Sequence, residues 1–424
     1  MPQANVESLD QEGRGIARHE EKVVFIHGAL PGETVEFSVF RKNPSFDLAN
    51  ATRIVKPSAY RVAPRCRYFG TCGGCSLQHL DSNAQVAVKQ RVLEDALARL
   101  GKVKPDVILP AIYGEAWGYR ARARLAARLV EKKGGVLAGF HEKRSSFIAD
   151  MESCEVLPEK LSSLLKPLRE LLGELSISNR VPQIEVAVTE DATALSLRIL
   201  GLLSDKDLAL LRDFARSHEV VFHVQPGGPE SVRPLNGEGA LKYSLREFDV
   251  TLSFTPSDFT QVNPAINRVL VRRAVTLLDP RPRESIADFF CGIGNFSLPL
   301  ARRGANVTGY EGNASLVARA QDNAKRNGLN ATFICRDLYA DEIAEISRFD
   351  KVLLDPPRDG AIELVKAVSA EGPKRVVYVS CSPATLARDA AVLVHTKGYR
   401  LQAAGVVNMF PQTSHVESIA LFER

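Results

Sequence analysis

The sequence predicts a multidomain protein that ends in an α/β domain with a parallel sheet covered on both faces. A small N-terminal β-barrel and a central α+β domain precede it. Three observations carry this expectation. From about residue 262, short apolar runs alternate with helical segments, a pattern that builds a parallel sheet between helix layers. The first 60 residues instead alternate apolar and polar positions, as in Lys22-Val23-Val24-Phe25-Ile26 and Thr34-Val35-Glu36-Phe37-Ser38-Val39, with Gly28, Pro31 and Gly32 between them. That is the two-residue period of half-buried strands. Finally, 424 residues exceed what one hydrophobic core ordinarily holds together.

In order, the barrel is expected over 1–60, the central domain over 61–255 and the α/β domain over 256–424. A cysteine-bearing loop at 64–80 leads to a helix at about 83–100, which Gly101 is placed to end in the left-handed conformation. Strands are expected at 122–130, 136–140 and 183–188, interrupted by a leucine-rich helix near 157–174. In the α/β domain the strands fall at 285–289, 306–310, 332–335, 351–354 and 376–380, with helices such as 315–326 and 384–395 between them.

Hydrophobic residues at 45% and charged residues at 25% are the balance of a soluble globular chain. No run of about 18 apolar residues occurs, and the first residues lack the basic-then-apolar order of a secretory signal. A cytoplasmic protein with no membrane partner is expected. A net charge of +5 is mild, so binding a polyanion requires clustering of basic residues. Arg120, Arg122, Arg124 and Arg128 do cluster, followed by Lys143 and Arg144. Taken alone, they suit a solvated charged face as well as RNA contact. Seven cysteines in such a chain point away from a disulfide framework and towards metal binding or catalysis.

The segment Asp288-Phe289-Phe290-Cys291-Gly292-Ile293-Gly294-Asn295 closes a strand with a glycine-rich turn before a helix. Such a turn lets backbone approach a ligand closely. Glu311 lies at the end of the next strand, where an acid accepts hydrogen bonds from ribose hydroxyls. Ser297 stands where a dinucleotide fingerprint needs its last glycine, so a nucleoside methyl donor without phosphates fits better than a dinucleotide. Asp337 and Asp355 end the next two strands, at the same sheet edge.

Cys381, in Val379-Ser380-Cys381-Ser382-Pro383, lies where a strand passes into a helix whose N-terminus is expected to lower the thiol pKa. A thiolate there could add to carbon 6 of a pyrimidine and make carbon 5 nucleophilic. A structural cysteine is the commoner occupant of such a position. Glu417 opens the last strand and could remove the carbon-5 proton; a solvated edge charge, or His415 as the base, is the alternative. Cys66, Cys72 and Cys75, with Cys154 as fourth ligand, form a metal-binding pattern that spacing alone leaves open between iron–sulfur and zinc. Cys291 and Cys335 are expected to be packing residues.

The C-terminal half resembles the RNA (uracil-5-)-methyltransferases. The resemblance lies in Phe259-Thr260-Gln261-Val262-Asn263, the glycine-rich segment, Asp355-Pro356-Pro357-Arg358, Ser380-Cys381-Ser382-Pro383 and Phe410-Pro411-Gln412-Thr413-Ser414-His415-Val416-Glu417. It implies a Rossmann-like class I methyltransferase domain using S-adenosylmethionine, with Cys381 as nucleophile and Glu417 as base. Methyl-donor contacts then fall on Gln261, Phe290, Asn295, Glu311, Asp337 and Asp355. Family members with this cysteine pattern carry a [4Fe–4S] cluster, which implies Cys66, Cys72, Cys75 and Cys154 as its ligands. The stretches Gly13-Arg14-Gly15-Ile16-Ala17 and Phe25-Ile26-His27-Gly28-Ala29 resemble a TRAM domain, an OB-like barrel that holds RNA.

The whole layout is similar to the bacterial 23S ribosomal RNA branch; the transfer-RNA branch is expected to lack the barrel and the cluster cysteines. The implied partner is 23S ribosomal RNA, with a uridine flipped out of a loop and Phe259 beside it, bound by a monomer. An RNA cytosine-5 methyltransferase is disfavoured because no second cysteine follows the fourth strand. A transfer-RNA methyltransferase and a non-catalytic assembly factor are the remaining rivals.

Overall fold

The computed structural model describes residues 1–235, 240–339 and 344–424. Strands Gln3–Leu9, Gly15–His19, Lys22–His27, Thr34–Lys42 and Phe46–Lys56 close into a barrel. Alternate residues such as Val24, Ile26, Val35 and Phe37 point inward and form its core, as the two-residue period requires.

The central sheet has six strands in the order Arg233–Pro234, Val220–Gln225, Thr193–Arg198, Gln183–Val188, Arg122–Val130 and Gly135–Gly139. The leucine-rich stretch forms the helices Glu159–Ser162 and Leu165–Glu174. Leu165, Leu168, Leu171 and Leu172 of the second are buried in the same cluster as Leu125, Ile184 and Leu195 of the sheet. Their spacing puts them on one helical face.

The C-terminal sheet has eight strands, ordered Ala331–Cys335, Asn306–Glu311, Ser285–Phe289, Lys351–Leu354, Arg375–Ser380, Glu417–Glu423, Arg400–Val407 and Val107–Ile108. The first five are mutually parallel, and Glu417–Glu423 runs antiparallel to both its neighbours. One buried cluster on each face, including Leu270, Val377 and Ile419 on one side and Leu386, Val376 and Phe422 on the other, explains why residues 376–380 are all buried. The five strands expected from the sequence are all present, within one residue at each end.

Two elements outside the C-terminal third join this layer. Helix Ser82–Ala96 packs through Leu93 into the cluster containing Leu386, and the hairpin Leu241–Leu245/Val250–Phe254 packs into the cluster containing Leu270. Gly101 does not provide the left-handed cap. Lys102 does, with φ of 53°. Gly101 is instead buried against helix Pro383–Ala391, where a Cβ would sit 2.6 Å from the Ala387 carbonyl oxygen. Close helix approach, and not backbone handedness, is what requires glycine there.

Candidate active site and cysteine cage

Strand order reverses between Asn306–Glu311 and Lys351–Leu354, on either side of Ser285–Phe289, and ligands bind at such a switch point. After Phe289 the chain turns sharply: Phe290, Gly292 and Gly294 have φ of 65°, 54° and 95°. A bulky side chain in the left-handed region is uncommon and persists where surrounding structure enforces it. Glu311 holds this turn. Its carboxylate accepts from the Gly292 N–H at 3.1 Å and the Asn313 N–H at 3.0 Å. Asn295 is tied inward: its Oδ1 accepts from Tyr243 Oη and Asn267 Nδ2, both at 2.9 Å, and its Nδ2 donates to Asn267 Oδ1. Asp288 is fully buried beneath the turn and accepts from Ser297 Oγ, while its Oδ1 has no partner.

Asp337 accepts from the Tyr339 N–H at 2.9 Å, and the Tyr339 ring lies 5.8 Å from that of Phe290. Gln261 is half-buried and Phe259 is 68% exposed. Arg122 donates to Thr260 Oγ1 at 3.1 Å and to the Pro256 carbonyl, so it braces the segment that carries both. Arg120 also turns inward, donating to the Arg122 carbonyl, and Arg124 pairs with Glu185 at 2.8 Å. Much of the arginine cluster thus serves the protein's own structure. Sequence reasoning missed Asn267, Tyr243 and Asp288 as parts of the turn's support. Asn267 and Tyr243 are remote in sequence from the glycine motif, so no local pattern marks them.

Cys381 and Glu417 meet at the rim. Strands Arg375–Ser380 and Glu417–Glu423 pair with Ser380 opposite Ser418, and one further antiparallel step sets Cys381 opposite Glu417. Ser382 caps the following helix by accepting from the Thr385 N–H. The thiol is half-buried and lies within electrostatic reach of Glu417, Asp355 and Arg358. Burial, with the two carboxyls, pushes the thiol up to about 11 despite Arg358. The expected lowering by the helix N-terminus is therefore overridden in the ligand-free protein. Burial and Asp355 raise Glu417 to about 8, and burial raises Asp355 to about 7. These acids hold protons near neutral pH, as closely spaced buried carboxyls must. His415 is lowered by burial and by nearby Arg358, Lys89 and Arg120.

Cys66, Cys72, Cys75 and Cys154 line one cavity, together with Tyr68, Phe140 and Met151. Among the described residues, no three His, Cys, Asp or Glu side chains converge where a single metal ion could sit. The Gly74 N–H donates to Cys72 Sγ at 3.4 Å. Burial raises Cys75 to about 11 and Cys154 to about 12, so thiolates there need a positively charged partner. The other two cysteines differ from each other. Cys291 is buried, as expected of a packing residue, but Cys335 is exposed at the end of the edge strand and is not one.

Residues 240–424 match the family model described as tRNA (Uracil-5-)-methyltransferase, and residues 3–46 match the TRAM domain. The chain is 60% identical over 432 residues to the 23S rRNA (uracil(1939)-C(5))-methyltransferase RlmD of Aromatoleum aromaticum, with all of both chains covered. It is 62% identical to the protein of the same name from an Azoarcus species, again over both full lengths. Among solved structures, the Pyrococcus abyssi tRNA (uracil-54, C5)-methyltransferase in complex with S-adenosyl-L-homocysteine superposes with a TM-score of 0.76 at 24% identity, covering 99% of this chain and 100% of that one. The fold, barrel included, therefore does not separate ribosomal from transfer-RNA enzymes, contrary to the sequence expectation for the barrel, because a transfer-RNA enzyme superposes over 99% of this chain. Sequence identity along the full length is what places the chain: it belongs to the RNA (uracil-5-)-methyltransferase family, alongside the 23S ribosomal RNA enzymes.

Proposed function

We propose that the protein transfers a methyl group from S-adenosylmethionine to carbon 5 of a uridine in 23S ribosomal RNA, at the position 1939 that its relatives' names specify. The observation that carries the chemistry is the nearness of Cys381 to Glu417: the register that pairs Ser380 with Ser418 leads directly to both, and the Glu417 carboxyl acts electrostatically on the thiol. After losing its proton to solvent, the Cys381 sulfur adds to carbon 6 of the uracil, and the ring electrons move to carbon 5 and oxygen 4. Carbon 5 takes the methyl group, and S-adenosylhomocysteine leaves. The Glu417 carboxylate then removes the carbon-5 proton; those electrons re-form the 5,6 double bond and expel the thiolate. Asp355, between the donor crevice and Cys381, helps keep the site's protons in place.

The methyl donor lies along the Phe290–Asn295 turn and the ends of the neighbouring strands, where Gln261, Glu311, Asp337 and Asp355 are its contacts. Asn295 acts mainly by fixing the turn. The uridine reaches the thiol flipped from its stack, next to exposed Phe259. The barrel over 1–60 and the central six-stranded sheet, both within the 1–255 assigned to the first two domains, hold the RNA against the catalytic domain over 256–424, to which helix Ser82–Ala96, strand Val107–Ile108 and the hairpin 241–254 also belong by their packing. The protein works as a cytoplasmic monomer; no helix among the described residues is long and apolar enough to cross a membrane.

The four-cysteine cavity fits a [4Fe–4S] cluster, held by Cys66, Cys72, Cys75 and Cys154. Its role there is to order the loop, since the methyl transfer needs no electron. Purified protein with labelled methyl donor and unmodified 23S RNA should incorporate one methyl group, and digestion should locate it at carbon 5 of that uridine. Label on a cytidine or on transfer RNA alone would overturn the assignment.

A further inference from the structure

The residues that lead into Glu417 are gripped by elements from far earlier in the chain, 292 positions for Tyr119 and 338 for Ser76, and one side chain is central to that grip. Gln85, on helix Ser82–Ala96, is fully buried. Its Nε2 donates to the Leu80 carbonyl at 2.8 Å, the Gln412 Oε1 at 3.0 Å and the Leu77 carbonyl at 3.1 Å, sharing two hydrogens among three acceptors. Its Oε1 accepts from the Gln412 N–H at 2.9 Å. Gln412 is itself buried and has φ of 67°, a left-handed conformation that is unfavourable for a non-glycine residue.

The other side of the grip comes from the cysteine loop. The Gln412 carbonyl accepts from the Ser76 and Leu77 N–H groups, both at 3.0 Å, and Ser76 Oγ accepts from the Ser414 N–H at 2.8 Å. Lys89 donates to Asn408 Oδ1 and the Phe410 carbonyl, and Tyr119 to the Pro411 carbonyl, each at 2.8 Å. A buried amide is costly unless fully bonded. If packing were all that position 85 supplied, an apolar residue would serve it better. Two of Gln85's four side-chain bonds instead fall on the strained residue that sets the path to Glu417, and the other two hold the carbonyls of Leu77 and Leu80 beside it.

We propose that Gln85 is a positioning residue for Glu417, acting through the loop 408–415. The proposal rests on Glu417 being the base of the reaction. The nucleophile is not carried by this loop, so addition of Cys381 and methyl transfer need the clamp less than proton removal does. Losing the clamp slows release of the methylated RNA from Cys381 and leaves more enzyme covalently bound.

The test compares Gln85→Met, Glu417→Gln, Leu93→Ala and the unaltered protein, each incubated with 23S RNA fragment and methyl donor and run on a denaturing gel. Leu93 lies on the same helix and contributes only apolar packing in the core. A misplacement of about 1 Å costs on the order of 100-fold in rate, so Gln85→Met should lose about 10- to 100-fold in kcat, with KM for RNA and donor within about twofold. Its covalent fraction should rise towards that of Glu417→Gln, while Leu93→Ala stays at the unaltered level. A fall in kcat with no rise in adduct, beside a strong adduct in Glu417→Gln, overturns the positioning role and leaves the base assignment standing. Equal adduct in Leu93→Ala also overturns it. No adduct in Glu417→Gln overturns the base assignment and the proposal with it. Should Gln85→Met fail to fold, Ser76→Ala removes only the bond to Ser414 and carries the same readout.

Discussion

Replacing Glu417 by glutamine should stabilise the protein, and by an amount that grows with pH. Burial and Asp355 hold this carboxyl at about 8 in the folded state, against 4.5 for an ordinary glutamate. Above pH 4.5 the unfolded chain gives up the proton while the folded chain keeps it, and each pH unit then costs a little over 1 kcal/mol of stability. The raised folded pKa thus means stability present in acid and lost as pH climbs to about 8, where the loss levels off. For an isolated carboxyl the penalty is about 1 kcal/mol at pH 5.5 and about 5 kcal/mol above pH 8. Asp355 shares the same proton field, so the penalty expected here is about half of that.

Glutamine keeps the shape and a hydrogen-bonding head but never ionises, so the variant escapes the penalty. Thermal unfolding at pH 5, 6, 7 and 8 should show a gain that rises to about 5–10 °C at pH 8, using about 2–4 °C per kcal/mol for a domain of this size. A difference that is flat with pH, or a variant less stable at pH 8, would refute the claim that Glu417 is a protonated buried acid.

Cys381→Ala should abolish methylation while leaving the affinity for S-adenosylhomocysteine within about twofold, measured by calorimetry, because Cys381 is not among the proposed donor contacts; residual turnover would exclude the covalent route. The rate of methylation should climb between pH 6 and pH 8 as Glu417 ionises, and Arg358→Ala should move the profile further alkaline, since Arg358 is the nearby charge that favours the thiolate. A flat kcat/KM profile would contradict this. Cys154→Ser should yield protein with little bound iron and a lowered unfolding temperature, whatever its activity; full iron content would remove Cys154 from the ligand set. Gly101→Ala should cost about 1–3 kcal/mol, because the added Cβ meets the Ala387 carbonyl at 2.6 Å; chemical denaturation showing no loss would mean the helices separate freely.

Much of the site was readable because its chemistry lies in short contiguous motifs. Ser380-Cys381-Ser382-Pro383 carries a strand end, a nucleophile, a helix cap and a proline at the first helical turn. The strands 285–289, 351–354 and 376–380 announce themselves because a sheet covered on both faces demands unbroken apolar runs. Helix ends were harder. Gly101 satisfied the local rule for a cap, yet the neighbouring helix needed it for a different reason. Cys335 looked like a packing residue because thiols usually are, but an edge strand exposes it.

By itself the sequence determined the period of each element, the motifs that carry the candidate reactive groups and the family to which the chain belongs, since these depend on residue type and near neighbours alone. Tertiary structure decided the protonation of those groups and who holds them in place. The thiol of Cys381 is raised and not lowered chiefly because folding buries it, with two carboxyls from other strands adding to the effect. The loop before Glu417 is shaped by Gln85 and Ser76 because folding returns the N-terminal helix and the cysteine loop to the rim of the sheet. Electrostatic energies and buried hydrogen bonds depend on distance through space, and that distance exists only once the chain has folded.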